Sequence, residues 1–157
     1  MSVGPIARPA EASDLPELSA FLIAATEEQQ TQRGGAAHLA SFNRVSPAIE
    51  VLERAFHDTN TMVWCGVWEQ LVVGYAIAVV GNENDDVIVT ITDLYTTPEA
   101  RDIGVGEVLL EAAVAWAIAL DASAIDAHAL PGARESKNLY ERLGLTARLI
   151  TVRRDLR

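Results

Sequence analysis

A single cysteine, Cys65, stands among 157 residues, so the chain cannot close an internal disulfide. Its neighbours, Met62-Val63-Trp64 and Gly66-Val67, are apolar and suit a buried, inert thiol in a reducing compartment. Basic residues are also scarce: 12 Lys and Arg against 22 Asp and Glu leave a formal charge of −10. Affinity for a phosphate backbone rests on clustered Lys and Arg, so this balance speaks against nucleic acid as a partner. No apolar run approaches the length of a membrane span, and the first residues carry Pro5, Arg8, Pro9 and Glu11 where a signal peptide needs an apolar stretch. A cytoplasmic protein without a membrane partner is expected. Cys, His and carboxylates nowhere recur at metal-ligand spacing, so no metal is expected.

What the chain does have is apolar residues, half of the total, enough for one core and one domain over 1–157. A short strand from about Val3 to Arg8 leads to Asp14-Leu15-Pro16-Glu17, an N-cap signature, and Leu15, Leu18, Leu22 and Ala25 follow at helical spacing. Residues 29–45, with Gly34-Gly35 and no sustained period, read as a substrate-side loop. Ser46-Pro47 supplies a cap and a first-turn proline for a second helix with Ile49, Leu52 and Phe56 inward. Two β-rich runs, Met62 to Trp68 and Leu71 to Val80, flank Glu69-Gln70 as a hairpin, and a polar turn from Gly81 to Asp86 leads to a third run, Val87 to Tyr95. A helix from Gly104 to about Leu120, a strand Ala124 to Leu130, a helix from about Glu135 to Leu143-Gly144 and a closing strand Ala147 to Arg153 complete the order. That order predicts a mixed α/β (α+β) domain with helices on both faces of the sheet. Glu27-Glu28 and Asp85-Asp86 read as solvated charge, and Trp64, Trp68 and Trp116 as core or interface anchors.

The informative segment is Leu94-Tyr95-Thr96-Thr97-Pro98-Glu99-Ala100-Arg101-Asp102-Ile103-Gly104-Val105-Gly106. Pro98 cannot extend a ladder, so main-chain groups near the strand end are free to pair with an extended, amide-bearing ligand. Arg101-x-x-Gly104-x-Gly106 places glycines where a backbone turns tightly and approaches a ligand. The helix behind them directs unpaired N–H groups and the positive end of its dipole at the same spot, which suits a pyrophosphate. A dinucleotide fold needs G-x-G-x-x-G after the first strand of a βαβ unit, and neither condition holds. The bland alternative is that Gly104 and Gly106 only open a structural helix.

This segment resembles the acetyl-CoA motif of the GNAT N-acyltransferase superfamily, R/Q-x-x-G-x-G/A after a strand, and the element order is similar over essentially the whole chain. The resemblance implies a mostly antiparallel central sheet of about six to seven strands and acetyl-CoA as cosubstrate. It places the pantetheine arm along Leu94, Tyr95 and Thr96 and the pyrophosphate over Arg101, Asp102, Ile103, Gly104, Val105 and Gly106. Asp102 stands where glycine is frequent and Ile103 where a polar residue is frequent; an anionic Asp102 weakens the anion site unless it points away or pairs with Arg101.

A second signature of the same family, N-x-x-A-x-x-x-Y-x-x-x-G-F, is met by Ala133, Ser136, Tyr140, Gly144 and Leu145. The spacing to Tyr140 survives, and the resemblance implies that its phenol lies near the sulfur and protonates the leaving thiolate; the alternative is a ring packed on the core. Ala133 and Ser136 replace the expected Asn and Ala, which changes the cofactor contacts there. Acyl transfer needs an uncharged amine, so a base or an ordered water must take a proton. Asp93 matches the family's acidic strand position and is the first candidate, unless it is a solvated strand residue; His128 on the next strand is the second. His38 and His57 have no supporting context. The expected activity is direct transfer of an acetyl group to a primary amine on a small molecule or protein, and the rival is a CoA-binding regulatory module without turnover. Apolar strands near the C-terminus allow a homodimer.

Overall fold

The computed structural model describes residues 3–41 and 47–157, so the Ser46 cap lies outside the described residues, as does the end of the 29–45 loop. Its strands are β1 (Ile6–Pro9), β2 (Thr61–Trp68), β3 (Leu71–Glu83), β4 (Asp86–Thr96) and β5 (Ala124–Ala127). They form one sheet in the order β1-β2-β3-β4-β5, antiparallel except for the parallel β4–β5 pair. The helices are α1 (Leu15–Thr31), α2 (Gly35–Ser41), α3 (Ala48–His57), α4 (Val105–Ala119) and α5 (Arg134–Arg142).

Period-2 alternation in the strands sorts the side chains into two cores. On one face Trp64, Ala76, Ala78, Val89 and Ile91 meet α4 through Val105, Leu109, Leu110 and Ala113, and Tyr140 of α5 joins them. Trp64 and Trp116 pack edge to face there at 5.6 Å, as core anchors should. On the other face Val63, Cys65, Tyr75 and Ile77 meet Leu18 and Leu22 of α1 and Leu52 of α3. Cys65 is fully buried, and burial pushes its thiol up to about 12, which keeps it protonated and inert.

Several expectations need correction. Residues 29–45 are not an open loop as far as they are described, because α1 continues to Thr31 and α2 occupies Gly35–Ser41. Gly34, at φ +79°, makes the break between the two helices. The Gly81-to-Asp86 turn is tighter than expected: β3 runs to Glu83 and β4 starts at Asp86, with Asn84 at φ +55°. At the first hairpin Glu69 and Gln70 both take positive φ, the primed turn that follows the twist of the strands. Asp14 does not cap α1 with its side chain. It accepts hydrogen bonds from both ends of the Arg8 guanidinium at 2.8 and 2.9 Å and from the Glu11 amide at 2.7 Å. That tie fixes β1 to the start of α1 and holds the Asp14 carboxyl at about 2. The closing strand Ala147 to Arg153 is absent, so the sheet has five strands instead of six or seven. Residues 146–157 are exposed throughout, and Gly144, at φ +85°, ends α5 and directs them away.

One feature that hydrophobic periodicity does not reveal sets the height of α4 above the sheet. Gly66 and Gly74 are cross-strand partners. A Cβ on Gly66 would lie 2.6 Å from Val105 Cγ1, and one on Gly74 would lie 2.6 Å from the Tyr95 carbonyl and 3.2 Å from Val105 Cγ1. The bare patch lets Val105 and Leu109, both fully buried, press against the backbone and bring the first turn of α4 close to the end of β4. Gly74→Ala therefore forces Tyr95 or Val105 to shift. It is expected to lower unfolding free energy by about 1–3 kcal/mol in a denaturant titration, and unchanged stability would show that α4 is not seated on this patch.

Candidate active site

The site begins where two strands part. β4 and β5 pair through Ile88–Ile91 and Ala124–Ala127, after which β5 ends while β4 continues to Thr96. At the same level β4 bulges: Asp93 pairs with Ile77 and Ile91 with Ala78, leaving Thr92 as the extra residue. Such a bulge turns the strand and re-aims the side chains beyond it. The Thr97 amide donates to the Val73 carbonyl at 2.8 Å, so the main-chain groups of Tyr95 and Thr97 face β3. By alternation those of Leu94 and Thr96 face the gap beside β5. An extended amide-bearing chain finds a strand edge there.

At the mouth of this gap Pro98–Ala100 makes a 3-10 turn and the backbone enters α4 through two left-handed residues, Asp102 at φ +67° and Gly104 at φ +93°. The left-handed value explains why glycine suits position 102; Asp is among the few other residues that tolerate it, and its side chain is exposed. Ile103 turns inward and packs against the α4-side core. The N-cap of α4 is Gly104, which has no side chain to cap the first amides of the helix. Val105 seats the turn on the sheet. Gly106 sits under α5, where a Cβ would lie 3.1 Å from Leu139 Cδ2 and 4.0 Å from Thr96 Oγ1.

Arg101 is committed differently from the sequence expectation of a phosphate ligand. Its Nη2 donates to Glu28 of α1 at 2.6 Å and its Nε to the Thr96 carbonyl at 3.1 Å, with the guanidinium 5.9 Å from the centre of the Tyr95 ring. Glu28, expected to be solvated charge, is thus one end of a brace from α1 to the end of β4. Residue separation hides such a pair: the two are 73 positions apart. The Tyr95 ring also lies 6.1 Å from both Phe21 and Tyr75, so side chains from α1 and β3 hold its orientation.

Asp93 and Tyr140 lie on opposite faces of the sheet, Tyr140 within the α4-side core. Asp93 lies on the α1/α3 face, where Thr92 Oγ1 donates to it at 2.8 Å and the Tyr75 hydroxyl approaches at 3.5 Å. With Thr92, Ile77, Val79, Val51, Arg54 and Ala55 it lines a cleft of about 270 Å³ between α3 and the sheet. Tyr140, on α5, is 9% exposed. Burial first, and then the negative charge of Asp93, push its phenol up to about 12. The two groups thus feel each other although they belong to different layers. Ser136 lies one turn before Tyr140 on α5, half-buried. Ala133 occupies the N-cap of that helix with no side-chain bond.

His128 falls just beyond β5 and is exposed, with its ring 5.6 Å from that of His38 on α2. His38 had no context in the sequence and gains one only because α2 exists. The two imidazoles lie beside the end of β5, while Asp93 belongs to the β4 side of the gap. His57 stacks edge-on against Phe56 on α3. Among the described residues no three His, Cys, Asp or Glu side chains are gathered for a metal, and no helix is long and apolar enough to cross a membrane.

Comparison with solved structures agrees with this architecture. A Bacillus halodurans protein, solved as a tetramutant, superposes with a TM-score of 0.77 at 20% identity over 96% of this chain and 99% of its own. A ribosomal-protein-alanine N-acetyltransferase from Brucella melitensis gives 0.71 at 14% identity, covering 98% and 100%. A predicted acetyltransferase from Clostridium acetobutylicum, solved with acetyl-CoA, gives 0.70 at 14% identity, covering 97% and 96%. No curated protein matches the chain. At these identities the superpositions speak for the fold alone, but the profile of the Acetyltransferase (GNAT) family matches residues 22–145, from α1 to the end of α5. The chain belongs to the GNAT acetyltransferase family.

Proposed function

We propose that the protein is an N-acetyltransferase that moves an acetyl group from acetyl-CoA directly to a primary amine. The observation that carries this reading is the parting of β4 from β5 after Ile91 and Ala127, with the start of α4 at one end of the gap and Asp93 just beyond the bulge of β4. Acetyl-CoA supplies the activated acyl group. Its pantetheine amides would pair with the main chain of Leu94 and Thr96, and its pyrophosphate would lie against the amides of Ile103 to Gly106. Arg101 serves this grip indirectly: braced by Glu28, it holds the turn in place.

The amine enters from the α1/α3 face, where the cleft ends on Asp93. Attack of its nitrogen on the acetyl carbon forms the C–N bond and breaks the C–S bond. The proton released by the amine passes to Asp93 or to water held by it, and Tyr140 gives a proton to the departing thiolate. A phenol near 12 stays protonated through the neutral range, so it is always present as a hydrogen-bond donor. His128 is placed beside His38 at the end of β5, which favours Asp93 as the proton acceptor and gives the imidazole pair a place on the acceptor side. The acceptor is a small amine or a protein amine, and the cytoplasm is the compartment this reading assigns.

Tyr140→Phe is expected to lower kcat about 10²–10⁴-fold while leaving acetyl-CoA affinity unchanged. Asp93→Asn should lower kcat while leaving acetyl-CoA affinity unchanged. Both are read by thiol release with a panel of amines. Thiol release unchanged in Tyr140→Phe removes the phenol from the mechanism, and acetyl-CoA binding without release for any amine favours the regulatory module instead. The raised phenol also predicts a stability profile. The folded state keeps this proton longer than the unfolded chain, so stability present below pH 10 is lost as pH rises from 10 to about 12. The difference amounts to about 2–3 kcal/mol. Thermal melts should show a smaller alkaline drop for Tyr140→Phe than for the wild type, and equal drops would contradict the burial argument.

A further inference from the structure

The cleft that ends on Asp93 carries a second carboxylate at its other end. Thr61 of β2 pairs with Val79 of β3, and Ile77 of β3 pairs with Asp93 of β4, so all four lie on the α1/α3 face of the sheet. Two strand spacings across and two residues along place Thr61 on the order of 12 Å from Asp93. Asp58, at the C-cap of α3, is fastened beside Thr61: its Oδ2 accepts from Thr61 Oγ1 at 2.6 Å and its Oδ1 from the Asn60 amide at 3.0 Å. Those bonds hold its carboxyl below the usual carboxylate range and fix it at the rim of the cleft. Between the two carboxylates the cleft has apolar walls, Ile77 and Val79 on the sheet and Val51 and Ala55 on α3.

A molecule that matches these walls has a nitrogen at each end and a hydrocarbon stem between. A stem of about four or five carbons sets the nitrogens about 6–8 Å apart, and a charge-assisted contact of about 2.8 Å at each end brings the span to about 12–13 Å. The cleft, at about 270 Å³, has room for such a molecule in extended form. Arg54 also borders it and would suit an amine bearing a carboxylate instead. Its charge is outnumbered, because Glu50, Glu53 and Asp58 line the adjoining depression of α3 that Arg54 and His57 share. The chain as a whole, at −10, also draws cations toward its surface.

We propose that the acceptor is a short aliphatic diamine, with one nitrogen at Asp93 and the other, as an ammonium, at Asp58. This names the substrate class of the acetyl-transfer reading above and rests on it. The near nitrogen gives up a proton, attacks the acetyl carbon and ends as an amide, while the CoA thiolate leaves and takes a proton. The far ammonium keeps its charge throughout and serves only to hold the stem. The test is thiol release from acetyl-CoA with α,ω-diamines of increasing length, set against n-alkylamines and ω-amino acids of the same lengths. Among the diamines kcat/KM is expected to peak at the lengths that span the cleft, and there to exceed that of the matched alkylamine. Asp58→Asn removes the charge and keeps an oxygen for the Asn60 amide, so the fold is retained, which circular dichroism checks. It should lower the ratio of diamine to alkylamine kcat/KM about two- to fivefold. Ala55→Leu, which fills the apolar run, should raise KM for the diamines. Equal kcat/KM for diamines and alkylamines, a preference for the amino acids, or a ratio that Asp58→Asn leaves unchanged would each overturn the proposal. Absence of release with every amine is a distinct result, which would remove the acetyl-transfer reading and the diamine with it.

Discussion

The site depends on a strand pair that is made and then abandoned. β4 and β5 are held together by four parallel registers, Ile88 with Ala124 through Ile91 with Ala127, and the next residue of β4 is the bulge at Thr92. Had the ladder continued, the main-chain groups of Leu94 and Thr96 would be consumed by the sheet. Because it stops, a wedge opens between the last two strands of the sheet. Its floor is lined by polar backbone and its two faces carry different chemistry. The remaining devices keep that wedge in shape: Gly66 and Gly74 let α4 sit low, Gly104 turns the backbone into the helix, and Arg101 ties the end of β4 to Glu28 of α1.

Division of labour between the layers follows from strand alternation. Leu94 belongs to the α4-side core and Tyr95 to the α1/α3-side core, so one short stretch serves both. One face of the sheet is covered by α1 and α3, and the other by α4 with Tyr140 of α5. Asp93 lies on the α1/α3 face and Tyr140 in the α4-side core, where burial first and then the charge of Asp93 raise its phenol. This arrangement also accounts for the half-exposed ion pair of Glu28 and Arg101, whose energetic worth is small but whose geometry crosses the two halves.

How much of this was legible in the sequence depended on the range of the interaction. Local patterns worked: the positive-φ turn at Glu69-Gln70, the helix after Gly104 and the Gly144 stop are each decided within a few residues. The strand end, proline turn and helix start over residues 94–106 were legible because they are contiguous. The helix over Gly35–Ser41 was missed since Gly34-Gly35 and the short length of the segment hide the propensity of Ala36, Ala37, Leu39 and Ala40. The partnership of Arg101 with Glu28, the pairing of His38 with His128 and the glycine patch under α4 join residues far apart in sequence, and no periodicity encodes them. The closing strand was a correct reading of composition and a wrong one of topology: Leu149, Ile150 and Val152 are suited to a ladder, and this chain offers them none.

The most direct test is to titrate acetyl-CoA into the isotope-labelled protein and follow its backbone amides. Saturable binding that perturbs first the amides of Leu94, Thr96 and residues 103–107 is the result expected if the wedge is the cofactor site. Absence of binding, or perturbations centred away from β4 and the start of α4, would contradict it.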